Sequence, residues 1–146
     1  MKIKNIDLIN ITNTLSKFNN HKLPQKINYA IVKNLRTLDK ELEVYQSLLS
    51  KLLEEYESYT LKDDNGETKY YDNGLPMVDK EHEAQLYNEV NELLDVDINV
   101  DFYQIPEESF NYEENDRYDV LSSQDIINLQ TILCDLKEDD GDEKAN

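Results

Sequence analysis

Apolar residues recur at alternating steps of three and four between positions 27 and 59. This seven-residue repeat is typical of a coiled-coil seam along one face of a helix. Because no Gly or Pro interrupts it, we predict one straight helix over about residues 24–59, roughly 50 Å long at about 1.5 Å per residue. Such a helix needs another helix against its seam, from this chain, a second copy or a partner. The seam positions are Ile27, Ile31, Leu35, Leu38, Leu42, Tyr45, Leu49, Leu52, Tyr56 and Tyr59.

Further apolar stripes at helical spacing predict three shorter helices. A first helix is expected over about residues 7–18 and should pack on the first half of the long helix. Another is expected over about residues 79–94 and could pair with the second half. A last helix is expected over about residues 122–136, because two serines precede its apolar face and serine favours the position before a helix.

The remaining patterns predict β structure. Residues 95–103 alternate between apolar and polar side chains, which predicts a strand with one buried face and one row of carboxylates. A hairpin is predicted over about residues 60–74, turning at Asn65-Gly66. The run Asp63-Asp64-Asn65-Gly66 also resembles the middle of a calcium-binding loop. That alignment places Leu61 at the first ligand position, so the hairpin turn is the favoured interpretation.

These elements predict an α+β fold that is mainly helical. A long coiled-coil-like helix packs on shorter helices, and segments 60–71 and 95–103 form a small antiparallel sheet whose pairing order does not follow from the sequence. One domain is expected over residues 1–136, which is long enough for a hydrophobic core. Residues 137–146 are expected to form a disordered acidic tail.

The chain carries a formal net charge of −17, and this charge is unevenly distributed. Residues 1–53 hold nine Lys or Arg and four acids, a net +5, whereas residues 54–146 hold six basic residues and 28 acids, a net −22. A surface that negative repels the phosphates of nucleic acid and attracts basic proteins. We therefore expect a basic protein partner, such as a nucleic-acid-binding enzyme, and no direct binding of nucleic acid.

The sequence contains no arrangement typical of catalysis. His21 and His82 lie far apart without a metal-ligand or acid–base motif, and no glycine-rich phosphate loop is present. Cys134 stands among apolar residues and is expected to be a small core residue. We therefore expect a protein that is not an enzyme and that has no cofactor and no metal. No apolar run approaches the roughly 20 residues of a membrane span.

Ten tyrosines and no tryptophan accompany the many acidic residues. Tyrosine offers rigid contact area with a polar tip and is enriched at interaction hot spots. Carboxylates interleaved with Tyr can imitate a nucleic acid, so we predict a partner-binding surface over residues 95–119. A merely solubilising acidic surface is the alternative. The candidate residues are Asp95, Asp97, Asp101, Tyr103, Glu107, Glu108, Tyr112, Glu113, Glu114 and Tyr118.

Three stretches of the chain carry a likeness to known proteins: Met1-Lys2-Ile3-Lys4-Asn5-Ile6-Asp7-Leu8, residues 23–34 beginning Leu23-Pro24-Gln25-Lys26, and Leu38-Asp39-Lys40-Glu41-Leu42. In these stretches, and in the order of an acidic alternating strand before a serine-started helix, the chain resembles a family of small uncharacterised bacteriophage and prophage proteins. The resemblance implies a phage origin and action in the cytoplasm of an infected bacterium, and it transfers no catalytic residues. The heavy acidity after Tyr56 departs from the family pattern.

Two functions remain open on this basis. The first is an inhibitor of the anti-CRISPR or anti-restriction type, whose acidic surface occupies the basic groove of a host enzyme that targets nucleic acid. The alternative is a phage structural, tail-assembly or chaperone protein that forms a homo-oligomer through the seam of the long helix. The polarised charge favours the inhibitor, because a basic target explains it better than self-assembly does.

Overall fold

Helices dominate the chain, as the apolar periodicity predicts. In a computed structural model that describes residues 1–136, the elements in chain order are β1 (Lys2–Lys4), α1 (Asn5–Ser16), α2 (Gln25–Glu55), α3 (Lys80–Leu94), β2 (Asp97–Asn99) and α4 (Ser123–Leu133). Short 3-10 helices occur at Glu57–Tyr59 and Glu107–Phe110. The fold is α+β and mainly helical, which confirms the predicted class. The predicted acidic tail, residues 137–146, lies outside the described residues.

The described chain divides into two compact units. The terminal unit combines residues 1–42 with residues 97–136, and the inserted unit comprises Glu43–Val96. Helix α2 begins in the terminal unit and ends in the inserted unit. Two such units can belong to one domain, so a single domain over residues 1–136 stays a prediction.

The first half of α2 forms the core of the terminal unit together with α1 and α4. The seam residues Ile27, Ile31 and Leu38 are almost fully buried, and they share an apolar cluster with Leu8 of α1 and Leu129 of α4. Burial of apolar surface stabilises a fold by about 25 cal/mol per Å² and is its main favourable contribution. The first helix and the first half of the long helix thus share one core, in line with the prediction.

Side-chain caps fix where α1 and α4 begin. The Asp7 carboxylate accepts a hydrogen bond from the Lys4 backbone N–H at 3.1 Å, so α1 begins slightly before the predicted position, with Asp7 in its first turn. At α4, the Ser122 hydroxyl accepts from the Asp125 N–H and the Asp125 carboxylate accepts from the Ser122 N–H. Reciprocal capping of this kind satisfies backbone donors that have no partner inside the helix.

The two strands form a small antiparallel sheet in the terminal unit, with Ile3 opposite Ile98. The predicted membership of the sheet is wrong, because the acidic strand pairs with the start of the chain and not with segment 60–71. β1 is three residues long with a single apolar residue, which is too short a pattern to indicate a strand. β2 is also shorter than the strand predicted over residues 95–103.

Helix α3 packs on the second half of α2 in the inserted unit, as predicted. Tyr56 of the seam shares a small apolar core with Val78, Leu86 and Val90. The last seam position, Tyr59, differs from the expectation, because it lies in the 3-10 helix after the end of α2 and is 37% exposed. The seam therefore serves two separate cores of the same chain.

Two tight turns follow α2 in the inserted unit. The Asp63 N–H donates to the Glu67 carbonyl at 2.8 Å, and Gly66 between them has a φ of +82°. The Asp63 carboxylate accepts hydrogen bonds from the N–H groups of Asn65 and Glu67, at 2.9 and 3.0 Å. A second turn places Gly74 at a φ of +87°. The Asp63 side chain thus stabilises a turn, which supports the hairpin over the calcium loop.

Isolated antiparallel bridges join three short extended stretches that lie before, between and after these turns. Thr60 pairs with Val78, Lys62 with Thr68, and Tyr70 with Pro76. Each stretch therefore borders the other two. The hairpin predicted over residues 60–74 is part of a closed arrangement that continues to residue 78.

Candidate interaction surface

The acidic segment, which we define as residues 97–119, is fixed to the terminal unit at several points. At its start the Met1 amine donates to the Val100 carbonyl, and the Val100 N–H donates to the Met1 carbonyl, both at 2.8 Å. Burial alternates as the sequence predicts: Val100 is buried, Asp101 is exposed and Phe102 is half-buried against the core. The carboxylates of this stretch therefore face solvent while their apolar neighbours join the core.

A buried amide on α2 holds the next stretch. Asn34 is 1% exposed, and its Nδ2 donates to the Tyr103 carbonyl oxygen at 2.9 Å while its Oδ1 accepts from the Tyr103 N–H at 2.8 Å. Both backbone groups are thereby satisfied as they would be by a neighbouring strand. The heptad pattern does not identify Asn34. A polar residue between Ile31 and Leu38 on an apolar helix face does, however, indicate a buried hydrogen-bonding group.

Further hydrogen bonds hold the rest of the acidic segment. The Ile105 N–H donates to the Leu133 carbonyl at the end of α4, at 2.8 Å. At the far end, the Lys22 N–H donates to the Asp119 carboxylate at 2.8 Å and the Asp119 N–H donates to the Lys22 carbonyl at 2.7 Å. Asp119 thus has a structural role. The acids between Ile105 and Asp119 are exposed to solvent.

Most of the predicted partner-binding residues are exposed on the terminal unit. Asp95 directly follows α3 and belongs to the inserted unit. The Asp97 carboxylate lies 3.6 Å from the Lys4 ammonium, and an exposed pair of this kind contributes at most about 1 kcal/mol. The exposed members of the predicted set in the terminal unit are Asp97, Asp101, Tyr103, Glu107, Glu108, Glu113 and Glu114.

Two of the predicted tyrosines contribute to packing. The rings of Tyr112 and Tyr118 meet edge to face with centroids 5.4 Å apart, and both residues are half-buried. Burial raises the pKa of the Tyr112 hydroxyl, and Glu114 and Tyr118 add to this effect. Tyr112 packs against the terminal core, so its ring is only partly available to a partner. Their role in partner binding stays a prediction.

A cationic side chain lies beside Tyr103. The Lys33 ammonium is 5.1 Å from the centroid of the Tyr103 ring and 5.6 Å from that of Tyr29, and the two rings meet edge to face at 5.3 Å. Arg36 lines the same shallow depression on α2. Cation–π contacts at exposed sites contribute about 0.5–1 kcal/mol, so Lys33 helps to orient Tyr103. Basic residues of α2, which belongs largely to the positively charged part of the sequence, thus lie beside Tyr103 of the acidic segment.

His82 belongs to a hydrogen-bonded aromatic cluster in the inserted unit. The Asp79 carboxylate accepts from the His82 backbone N–H at 3.1 Å and lies 2.7 Å from its Nδ1. The Tyr59 ring stacks on the imidazole with centroids 3.5 Å apart. The hydrogen bond with His82 lowers the pKa of the Asp79 carboxyl. This arrangement caps α3, and within residues 1–136 no group of three His, Cys, Asp or Glu side chains is placed to hold a metal ion.

Cys134 packs against the terminal core directly after α4. Burial raises the pKa of its thiol, and the nearby carboxylates of Asp135, Glu107 and Glu108 raise it further. The reactive thiolate is therefore disfavoured at neutral pH, which supports the packing role expected for this residue.

The inserted unit contains a cavity of about 450 Å³ that no pattern in the sequence predicts. The exposed rings of Tyr71 and Tyr87 line it together with the buried residues Val78 and Leu86. Its lining residues come from the second turn and from α3, and they form no motif along the chain. An apolar cavity with two exposed tyrosines is a suitable surface for contact with another molecule.

Comparisons with protein-family models, with curated proteins and with solved structures find no match. Within residues 1–136, none of the helices is long and apolar enough to cross a membrane.

Proposed function

We propose that the protein is a non-enzymatic, phage-encoded inhibitor of the anti-CRISPR or anti-restriction type. Its acidic segment docks in the basic groove of a host enzyme that targets nucleic acid, in the cytoplasm of the infected bacterium. The observation that carries this proposal is the fixation of the segment by Met1, Asn34 and Leu133. A surface ordered in advance loses less conformational entropy on binding than a flexible acidic chain does. The phage origin rests on the sequence resemblance.

The charge of the acidic segment supports a basic partner. Residues 97–119 contain eight acids and one basic residue, a net −7 over 23 residues. Complementary charge speeds association and gives specificity for a basic groove. Tyr103, held by Asn34 and 37% exposed, places an aromatic ring on the same segment as these carboxylates, as bases accompany phosphates along a nucleic acid.

The assembly alternative has weaker support. A homo-oligomer through the α2 seam needs exposed seam positions, but Ile27, Ile31 and Leu38 are buried in the terminal unit and Tyr56 is buried in the inserted unit. Self-association through these residues would compete with the cores of the chain itself. The inhibitor is therefore the better supported of the two functions.

The test compares two charge-matched variants with the unchanged protein in a pull-down from the lysate of a defence-competent bacterial host. One variant neutralises the acidic segment through Asp97→Asn, Asp101→Asn, Glu107→Gln and Glu108→Gln. The control neutralises four exposed acids of the inserted unit through Glu54→Gln, Asp64→Asn, Asp72→Asn and Glu81→Gln. The captured proteins are identified by mass spectrometry after washes at low and high salt, and the activity of the captured enzyme is then assayed with each variant.

We expect the unchanged protein and the control to capture a basic nucleic-acid-processing enzyme at low salt, to lose it at high salt and to inhibit its activity. The acidic-segment variant should neither capture nor inhibit that enzyme, because the attraction comes from those carboxylates. Equal capture and inhibition by both variants would overturn the proposal. Recovery of virion proteins alone, or of a salt-resistant multimer, would support the assembly alternative instead.

A further inference from the structure

The apolar face of α2 in the inserted unit is wider than α3 covers. Val44 and Leu48 lie one turn apart on α2 and are 58% and 47% exposed. Val96, directly after α3, is 44% exposed. Exposed large apolar side chains that cluster, rather than lie singly, mark sites of protein contact.

Leu48 and Val96 border a groove between the two helices. It has a volume of about 260 Å³ and is lined by Leu48 and Leu52 of α2, by Glu89, Glu92 and Leu93 of α3, and by Val96. Leu48 lies beside the C-terminal end of α3, whereas Tyr56, two turns later and directly after α2, forms a hydrogen bond with Glu89 through its hydroxyl. The two helices are therefore antiparallel.

The spacing of the apolar residues fits a third helix. Val44, Leu48 and Leu52 follow one another at intervals of four, so they form one ridge along α2. A groove between two packed helices, with Leu48 and Leu52 of this ridge in one wall, is the shape that receives the apolar face of an amphipathic helix.

The charge around the groove selects the occupant. Glu89 and Glu92 lie in the groove wall, and the inserted unit carries 14 acids and four lysines, a net −10. A second copy of the chain would bring the same negative charge to this surface. A helix with Lys or Arg beside its apolar face would meet complementary charge.

We propose that this groove is a docking site for a basic amphipathic helix of a partner protein. The apolar side chains of that helix enter between Leu48 and Leu93, and its Lys or Arg side chains pair with Glu92 at the wall. The site lies in the inserted unit and does not depend on the acidic segment, so it goes beyond the inhibitor function proposed above.

The experiment uses two synthetic 18-residue peptides with the same leucine face, one with lysines and one with glutamates at the remaining positions. Each carries a fluorescent label, and its binding to the full chain is followed by fluorescence anisotropy at physiological salt. We expect the lysine peptide to bind. Leu48→Ala should weaken its binding about tenfold, because the burial of one leucine side chain is lost. The control is Ile127→Ala, which truncates an exposed apolar residue of α4 in the terminal unit.

A second variant tests the charge selection. Glu92→Lys should weaken the lysine peptide and strengthen the glutamate peptide. Circular dichroism verifies that both groove variants remain folded, as expected for exposed positions. The proposal is overturned if the lysine peptide does not bind, if Leu48→Ala has no larger effect than Ile127→Ala, or if both peptides bind equally. Sedimentation that shows a dimer dissociated by Leu48→Ala would also overturn it, because a second copy would then occupy the groove.

Discussion

Asn34 and Tyr103 exchange two hydrogen bonds across 69 positions of the chain, so one side-chain amide binds both backbone groups of a single residue. The amide belongs to a helix and the backbone belongs to an extended segment. A helix cannot offer backbone hydrogen bonds to its neighbours, because its own groups are bonded internally. The side chain of Asn34 supplies what the α2 backbone cannot, and this contact holds Tyr103 in place.

Replacing Asn34 by alanine is expected to leave the N–H and carbonyl of Tyr103 without partners. Loss of stability of about 3 kcal/mol is expected, since each buried polar group left unpaired costs about 1–3 kcal/mol. Urea unfolding measures this loss, and hydrogen exchange should show faster exchange of the Tyr103 amide. Asn13→Ala, on the exposed side of α1, is the matched control. Unchanged protection of the Tyr103 amide in Asn34→Ala would contradict the assignment.

Tyr56 links alkaline pH to the stability of the inserted unit. Burial and the hydrogen bond to Glu89 raise the pKa of its hydroxyl to about 12. Because the folded state favours the neutral phenol, this contribution to stability is complete below the ordinary pKa of 10.0 and is lost as pH rises towards 12. Urea midpoints at pH 8, 10 and 11 should fall more steeply for the unchanged protein than for Tyr56→Phe. Parallel curves would show that Tyr56 does not titrate in this way.

The stability of the protein should respond to acid pH through the carboxylate of Asp79, which caps α3. Asp79→Ala should lower the thermal unfolding midpoint at neutral pH, because the α3 N–H of His82 loses its N-cap acceptor. The pKa of Asp79 is lowered from 3.8 in the folded state, so the charged form contributes stability above that pH and its contribution is lost as pH falls further.

Asp79→Asn is the matched control, because asparagine caps a helix without a charge. The stability difference between Asp79→Asn and Asp79→Ala should persist at acid pH. The difference between the unchanged protein and Asp79→Ala should shrink. Thermal unfolding monitored by circular dichroism at pH 7 and pH 3 distinguishes these outcomes. An equal loss for Asp79→Asn and Asp79→Ala at pH 7 would show that the charge of Asp79, and not its capping hydrogen bond, supplies the stability.

The two turn glycines should be sensitive to substitution for a purely conformational reason. Gly66 and Gly74 have positive φ, and a Cβ added at either would meet no atom within 4 Å. Alanine at each position should therefore destabilise the protein by about 1 kcal/mol through backbone strain. Asparagine, which tolerates this conformation, should destabilise it less, and urea unfolding of the four single variants tests that order. No difference between alanine and asparagine would exclude strain as the cause.

The helices could be predicted because their apolar residues repeat over many turns. α2 repeats its seam from Ile27 to Leu52, over about seven turns, and Leu86 and Val90 mark one face of α3, so periodicity alone locates both. β1 could not be predicted in this way, since Ile3 is its single apolar residue and its partner lies about 95 positions later. Strand pairing over such a separation leaves no local pattern.

The candidate surface was predictable in composition but not in geometry. Asp101 and Glu107 are exposed, as expected for acids in a polar segment. The burial of Tyr112 follows from packing against residues distant in sequence, which no local pattern encodes. The groove beside Leu48 was likewise not predictable, because an apolar residue next to a seam gives no information on whether another element covers it.

The order of the two units along the chain affects how the protein is made. The partners of Lys2–Lys4 lie at Asp97–Asn99, so a ribosome must complete the inserted unit before the first strand can pair. The inserted unit, with its contiguous residues Glu43–Val96, can close its core while the terminal unit still lacks its final helix. Since domains tend to fold as they emerge, we expect the middle of the chain to mature before its beginning, with the acidic surface completed last.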